Sequence, residues 1–137
     1  MVDCRPTDTP MIQNHRLQIV EGAKLTDRGR YQRLVGKLIY LSHTRPDIAY
    51  AVGVVSQFIH SPQEYHWEAA LRIVRYLKGT EEHGVLFEKH GHLEINGFTD
   101  ADWAGNPNDR KSTAGYFTLV GGNLVTWRSK KQKVVAL

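Results

Sequence analysis

The sequence predicts an α+β chain in which a small three-helix bundle precedes an antiparallel β-meander. Apolar residues recur at helical spacing between positions 29 and 80, and the period changes to two from Gly84 onward. Glycine-rich turn signals then separate short apolar runs. On this reading residues 1–28 are an extended lead-in and residues 29–80 the helical region. Residues 81–91 form a linker with one short strand, and residues 92–137 form the meander.

The lead-in holds Pro6, Pro10 and Gly22 without a clear period, which suits a segment that hugs a surface. Tyr31, Leu34, Val35 and Leu38 then fall at i, i+3, i+4 and i+7, one apolar stripe of an amphipathic helix. That helix is expected to stop near His43, because Arg45 precedes Pro46 and is steered out of the α region. Pro46 suits the first position of a second helix, with Asp47 complementing the positive end of its dipole. Its stripe runs through Ile48, Ala51, Val52, Val55, Phe58 and Ile59. Ser61 and Glu64 read as a capping box around Pro62, starting a third helix. Trp67, Ala70, Leu71, Val74 and Leu77 are its expected buried face, and Gly79 its left-handed C-cap.

Val85-Leu86-Phe87 reads as the short linker strand. Leu93, Ile95 and Gly97 lead alternately into a strand at Phe98-Thr99-Asp100, and Gly105 to Asp109 is a turn-rich loop. Runs from Gly115 to Val120 and from Leu124 to Arg128 flank Gly121-Gly122-Asn123, a hairpin signal. Residues 133–137 read as the start of one more element.

The chain has 137 residues, 41% hydrophobic and 23% charged, which is the composition of a globular protein. No apolar run reaches the ~18–20 residues of a membrane span, and the polar first 25 residues hold no secretory h-region. An intracellular protein with no membrane partner is therefore expected. Cys4 is the single cysteine and the seven histidines are dispersed, which disfavours zinc, and no HExxH, GxSxG or phosphate-cradling glycine loop is present. His66 and His83, beside the basic helix, are either phosphate contacts or solvated polar positions, and the second reading is preferred.

The net charge of +4 leans toward anionic partners. Arg72, Arg75 and Lys78 share one flank of the third helix, at i, i+3 and i+6. Arg128, Lys130, Lys131 and Lys133 follow Trp127 and interleave cations with an aromatic, as a nucleic-acid-binding surface does. Solvated faces are the alternative for both clusters. Asp100 and Asp102, spaced i, i+2 at a strand's end, are either Mg²⁺ ligands or turn-forming aspartates. Asp109 is the sole acid after them.

Several stretches together are similar to the Pol polyprotein of copia-type LTR retrotransposons along nearly the whole chain. They are Tyr31-Gln-Arg-Leu-Val-Gly36-Lys-Leu-Ile-Tyr-Leu41, Thr44-Arg-Pro-Asp-Ile-Ala49 and Arg75-Tyr-Leu-Lys-Gly-Thr80 in the first half. Thr99-Asp-Ala-Asp-Trp-Ala-Gly105, Arg110-Lys-Ser-Thr-Ala-Gly-Tyr116 and Ser129-Lys-Lys-Gln-Lys133 follow in the second, and their order makes the resemblance specific. It implies that residues 29–80 correspond to a helical thumb or connection region of the reverse transcriptase. It implies that residues from 92 open an RNase H-like domain. In that family Asp100 is the first-strand carboxylate that ligates catalytic Mg²⁺, while Asp102 belongs to the same word without a ligand role following from the match.

Two departures limit the implied activity. The polymerase's Tyr-x-Asp-Asp motif is absent from the 137 residues, which excludes nucleotide addition. The family's next RNase H carboxylate, a glutamate on the helix after Ser129-Lys-Lys-Gln-Lys133, is not among them either. The expectation is a fragment inactive alone, holding no Mg²⁺ stably and binding RNA–DNA hybrid or duplex weakly and without sequence preference. The alternatives are a ribonuclease active once its C-terminal portion is supplied, and a non-catalytic interaction module. Self-association through exposed strands is expected too.

Overall fold

The computed structural model describes residues 4–106 and 109–134. In chain order its elements are α1 (Arg28–Leu41), a 3₁₀ turn (Pro46–Ile48), α2 (Ala49–Ser56) and α3 (Glu64–Lys78). The strands β1 (Ile95–Ala101), β2 (Thr113–Val120) and β3 (Asn123–Lys131) follow. The fold is α+β, and the chain divides into two units, Met1–His83 and Gly84–Leu137. Among the described residues no helix is long and apolar enough to cross a membrane. Pro107, Asn108 and Val135 to Leu137 lie outside the described residues, so the loop expected at Gly105 to Asp109 and the element expected at 133–137 are described only in part.

In the first unit, the Asp27 carboxylate caps α1 by accepting the Arg30 N–H at 2.7 Å. The expected stripe faces inward, with Tyr31, Val35 and Leu38 buried. They pack on Ile48, Ala51, Val52 and Val55 and on Ala70, Ile73 and Tyr76 of α3. The Tyr31 hydroxyl, buried with its ring, donates to the Val55 carbonyl at 2.7 Å, and burial raises its pKa above the ordinary phenol value. Arg45 adopts φ −124°, as the residue before a proline should. Pro46 then opens a 3₁₀ turn rather than the α-helix itself, and Phe58 and Ile59 fall beyond the end of α2. Phe58 is nonetheless buried, stacked on the His66 ring at 3.8 Å.

The start of α3 differs from the expected capping box. Gln63, in extended conformation, is the N-cap, and His66 Nδ1 accepts its backbone N–H at 3.0 Å. The reason lies in the lead-in. Its residues 18–26 run beside Pro62 and Gln63, with Thr26 N–H donating to the Pro62 carbonyl at 3.1 Å. Glu64 N–H donates to the Lys24 carbonyl at 3.0 Å, and the Gln63 side chain bonds both backbone groups of Val20. A bridge therefore occupies the residues that a Ser61 cap would need. His66 donates through Nε2 to the Gln18 carbonyl at 3.2 Å, which specifies its tautomer. Far from being solvated, it is 0% exposed.

The inward face of α3 is rotated from the expected one. His66, Ala70, Ile73 and Tyr76 are buried, while Trp67, Leu71, Val74 and Leu77 are half-buried along its margins. Gly79 has φ −84° and is not a left-handed cap. A side chain there would press on Pro6 of the lead-in, its Cβ only 3.0 Å from the Pro6 Cβ, so the glycine serves a close approach.

A polar joint ties the 3₁₀ turn to the end of α3. The Arg45 guanidinium forks onto the Asp47 carboxylate at 3.0 and 2.7 Å. It also donates to the Thr80 carbonyl at 2.9 Å and the Thr80 hydroxyl at 2.8 Å. The Tyr76 hydroxyl donates to the same Asp47 carboxylate at 2.8 Å. Two of the matched stretches, Thr44 to Ala49 and Arg75 to Thr80, thus meet in space.

The second unit is a three-stranded antiparallel sheet of order β1-β2-β3. A tight turn at Gly121 and Gly122, with φ 54° and 77°, joins β2 to β3. Register aligns Phe98, Phe117 and Trp127 across one face, and Thr99, Tyr116 and Arg128 across the other. No strand forms at Val85-Leu86-Phe87. Glu88 instead exchanges two hydrogen bonds with the Asn123 side chain, at 2.7 and 2.8 Å, which tether the segment without a ladder. Leu86 and Phe87 remain exposed.

Candidate nucleic-acid interface and carboxylate site

Asp100 and Asp102 have the same spacing as ligands would, yet the fold treats them differently. Asp100 lies within β1, exposed, opposite Gly115, which brings no side chain to cover it. Its carboxylate accepts the next residue's N–H at 2.9 Å. The register places it on the face of Phe98, Phe117, Trp127 and Ser129, where the two phenylalanine rings stack at 4.7 Å.

Asp102 closes a clasp. Its N–H donates to the Thr113 carbonyl at 3.0 Å, and its carboxylate accepts the Thr113 N–H in return. The same carboxylate lies so close to Gly105 that a Cβ there would collide with it. Next along the chain, Ala104 adopts φ 49° and donates its N–H to the Ser112 hydroxyl at 3.2 Å. Ser112 is fully buried, and its carbonyl accepts the Gln132 N–H at 2.8 Å. Three matched stretches of the second half are joined here, and Asp102 behaves as the turn-forming aspartate.

Asp109 is paired with Lys131 at 2.9 Å and Lys111 at 3.5 Å. The Lys131 hydrogen bond is the main cause of its lowered pKa. Among the described residues no group of three or more histidine, cysteine, aspartate or glutamate side chains could hold a metal ion. Glu88, His90 and His92 line one hollow with Gly121, but the two rings stand 6.5 Å apart. A pair of Mg²⁺ ions needs several convergent oxygens. Asp100 is the one open carboxylate at the end of β1, so these side chains do not fit such a pair.

The cations of the α3 flank are engaged by their own chain. Arg72 donates to the Thr9 carbonyl at 3.1 Å and the Thr9 hydroxyl at 2.9 Å. Lys78 donates to the Cys4 carbonyl at 3.0 Å. Arg75 pairs with Glu68 at 3.6 Å, and among the described residues its buried Nε has no hydrogen-bond partner. On β3, Arg128 and Lys130 are exposed on one face, beside Tyr116 and Ala114. Lys131 and Trp127 belong to the opposite face, so the expected interleaving of Trp127 with the whole basic run divides between the two sides. Lys133 is exposed beyond the strand.

Sequence reasoning passed over a further row of cations, on α1. Arg30, Arg33 and Lys37 are exposed, and the Arg30 guanidinium lies 4.7 Å above the Trp67 ring. The signal was there to find, because the stretch Arg28–Leu41 contains no acidic residue.

Comparison with known proteins places these features in a family. The chain is 47% identical over 135 residues to the retrovirus-related Pol polyprotein from transposon RE1 of Arabidopsis thaliana, covering 98% of this chain and 9% of that protein. It is 40% identical to the corresponding polyprotein from transposon TNT 1-94 of Nicotiana tabacum, across 100% of this chain and 11% of the relative. It therefore spans about a tenth of the length of these relatives. It is also 48% identical to the secreted RxLR effector protein 161 of Plasmopara viticola, over 78% of this chain and 76% of that protein. No family model and no solved structure matches.

Proposed function

The chain belongs to the Pol polyproteins of copia-type retrotransposons, and from that premise we propose that it is a binding segment of such a polyprotein, inactive as a nuclease by itself. Its helical unit corresponds to a thumb or connection region and its sheet to the opening strands of an RNase H-like domain. Its ligand is the backbone of RNA–DNA hybrid or duplex, held weakly and without sequence preference through cations. On the sheet these are Arg128 and Lys130, with Lys133 beyond the strand, while Lys131, on the opposite face, reaches a phosphate only by leaving Asp109. On α3 they are Arg72, Arg75 and Lys78, of which Arg72 and Lys78 reach a phosphate only by leaving Thr9 and Cys4.

One observation carries the reading. The end of β1 offers a single open carboxylate, Asp100, whereas β3 presents Arg128 and Lys130 to solvent side by side. Such a surface neutralises phosphates and cannot assemble a hydrolytic metal pair. Titrating the chain against a labelled RNA–DNA hybrid at two salt concentrations tests the binding. Affinity should fall steeply with salt, and an affinity indifferent to salt contradicts it. Adding Mg²⁺ or Mn²⁺ to the same hybrid should leave the RNA intact. Cleavage that disappears in Asp100→Asn would overturn the inactive reading and favour the ribonuclease.

A second reading, a module that pairs with another copy of itself, is supported by the strand edges. Both β1 and β3 border the sheet without a further strand among the described residues, and Ile95 and Phe98 are exposed on β1. Size-exclusion elution that shifts with concentration would favour it.

A further inference from the structure

We infer that the helical unit meets nucleic acid through α1, with Arg30, Arg33 and Lys37 contacting successive backbone phosphates. This deepens the binding reading above and rests on it. At 3.6 residues per turn Arg30, Arg33 and Lys37 share one flank of α1, opposite the buried Tyr31, Val35 and Leu38. Tyr40, exposed at 81%, closes the same row. From Arg30 to Lys37 the row is about 10 Å long at ~1.5 Å per residue. A row of that length can meet more than one phosphate of a backbone strand.

Three observations distinguish this row from the cations of α3. First, among the described residues none of the three has a carboxylate within ion-pair distance, whereas Arg75 has Glu68 and Arg72 and Lys78 are held by the lead-in. Second, the Arg30 guanidinium lies over the Trp67 ring while the residue remains exposed, a contact that favours one placement of the cation. Third, Gly36 lies at the edge of this row, beside Arg33 and Tyr40, within an unbroken α1. A mid-helix glycine is destabilising relative to alanine. Packing inside the chain does not require it, because a Cβ at Gly36 would meet nothing within 4 Å. The missing side chain leaves the helix backbone open beside Arg33 and Tyr40, where a sugar–phosphate backbone can lie against it.

The same geometry disfavours a membrane surface as the partner. A helix that lies in a bilayer interface inserts its apolar face. The apolar face of α1 is closed into the protein core.

The experiment is a titration of the full chain with a labelled DNA duplex over a series of salt concentrations. Arg33→Ala and Lys37→Ala should each flatten the slope of log affinity against log salt by about 0.9. Neither should change the melting temperature, because both side chains are exposed. Gly36→Gln should raise the melting temperature yet weaken binding, opposite signs that a purely structural glycine would not produce. Equal slopes for wild type, Arg33→Ala and Lys37→Ala, with Lys130→Ala flattened, would overturn the role of α1 and leave the binding reading standing. An unmodified chain with no salt-dependent binding would overturn both. Tighter binding by Gly36→Gln, or capture by phosphatidylserine vesicles as strong as by duplex, would overturn the inference as well.

Discussion

The helical unit and the sheet unit solve the problem of a short chain in opposite ways. In Met1–His83, α1, α2 and α3 close over side chains with no exposure at all, including Tyr31, Val35, Ile48, Val55 and Ile73. In Gly84–Leu137 no described strand residue is buried, and Ala104, Asn106 and Ser112, its buried residues together with Gly121, sit in loops and turns. The helices are held by a core. The sheet is held by its ladder, its glycine turn and the Asp102–Ser112 clasp. Apolar burial is worth about 25 cal/mol per Å², so the sheet lacks the largest stabilising term available to the helices.

The largest expected effect tests that contrast directly. Ile73→Ala should destabilise the helical unit by about 3 kcal/mol, the usual range for a fully buried aliphatic residue. Phe117→Ala, which removes a partly exposed stacked ring, should cost the sheet about 1 kcal/mol. Denaturant unfolding followed by helical circular dichroism reads the first. Amide hydrogen exchange should find the β-strand protons exchanging well before those of α1 and α3. Equal protection in both units would refute the comparison.

Next in size is the Arg45–Asp47–Tyr76–Thr80 joint. Removing one partner of a fully buried pair costs about 3–5 kcal/mol. Asp47 keeps 31% of its side-chain surface, so Arg45→Met should cost less, about 2 kcal/mol. The Arg45 hydrogen bonds are the main cause of the lowered Asp47 pKa. The contribution of that carboxylate is therefore complete above its ordinary value of about 3.9 and is lost as pH falls through the lower folded value. Acid unfolding of Arg45→Met should accordingly be less steep than that of the parent chain.

His66 supplies a milder pH dependence nearer neutrality. Burial holds its pKa below 6.5, so the unfolded chain takes up the proton first. Its stabilisation is present above pH 6.5 and is lost as pH falls from there through the depressed folded value. Protonation at Nδ1 also removes the acceptor of the Gln63 N–H at the start of α3. His15 is shifted the same way by burial, so His66→Gln should reduce the decline in melting temperature below pH 6.5 without abolishing it.

What could be read from the sequence, and what could not, divides by the distance between partners. The stripe of α1 and the turn at Gly121 and Gly122 depend on residues a few positions apart, and both stand as expected. The face of α3 does not. Burying His66 and Tyr76 requires acceptors at Gln18 and Asp47, which periodicity cannot see. A Val85-Leu86-Phe87 strand looked reasonable by composition, but an asparagine 35 residues away from Glu88 ties that segment down instead. The basic flank of α3 was legible as charge, whereas its engagement by Thr9 and Cys4 required the fold of the lead-in. Asp100 and Asp102 looked equivalent in the sequence for the same reason, since the partner that separates them is Thr113, 11 residues on.

The smallest expected effect exploits that last pair. Asp102→Asn keeps the shape of the side chain and weakens the bond to the Thr113 N–H, because a neutral acceptor replaces a charged one. A loss of about 1 kcal/mol is expected, and the strained Ala104 and buried Ser112 of the clasp should lose exchange protection with it. Asp100→Asn changes an exposed side chain whose described hydrogen bond is to its own neighbour. It should leave stability within about 0.5 kcal/mol of the parent, as most surface substitutions do. Two aspartates two residues apart would then separate by stability alone, one holding a turn and the other open on the face of a strand. If Asp100→Asn instead lost as much as Asp102→Asn, the face of β1 would be tied into the sheet by contacts as firm as the clasp, and the contrast between the two units would narrow.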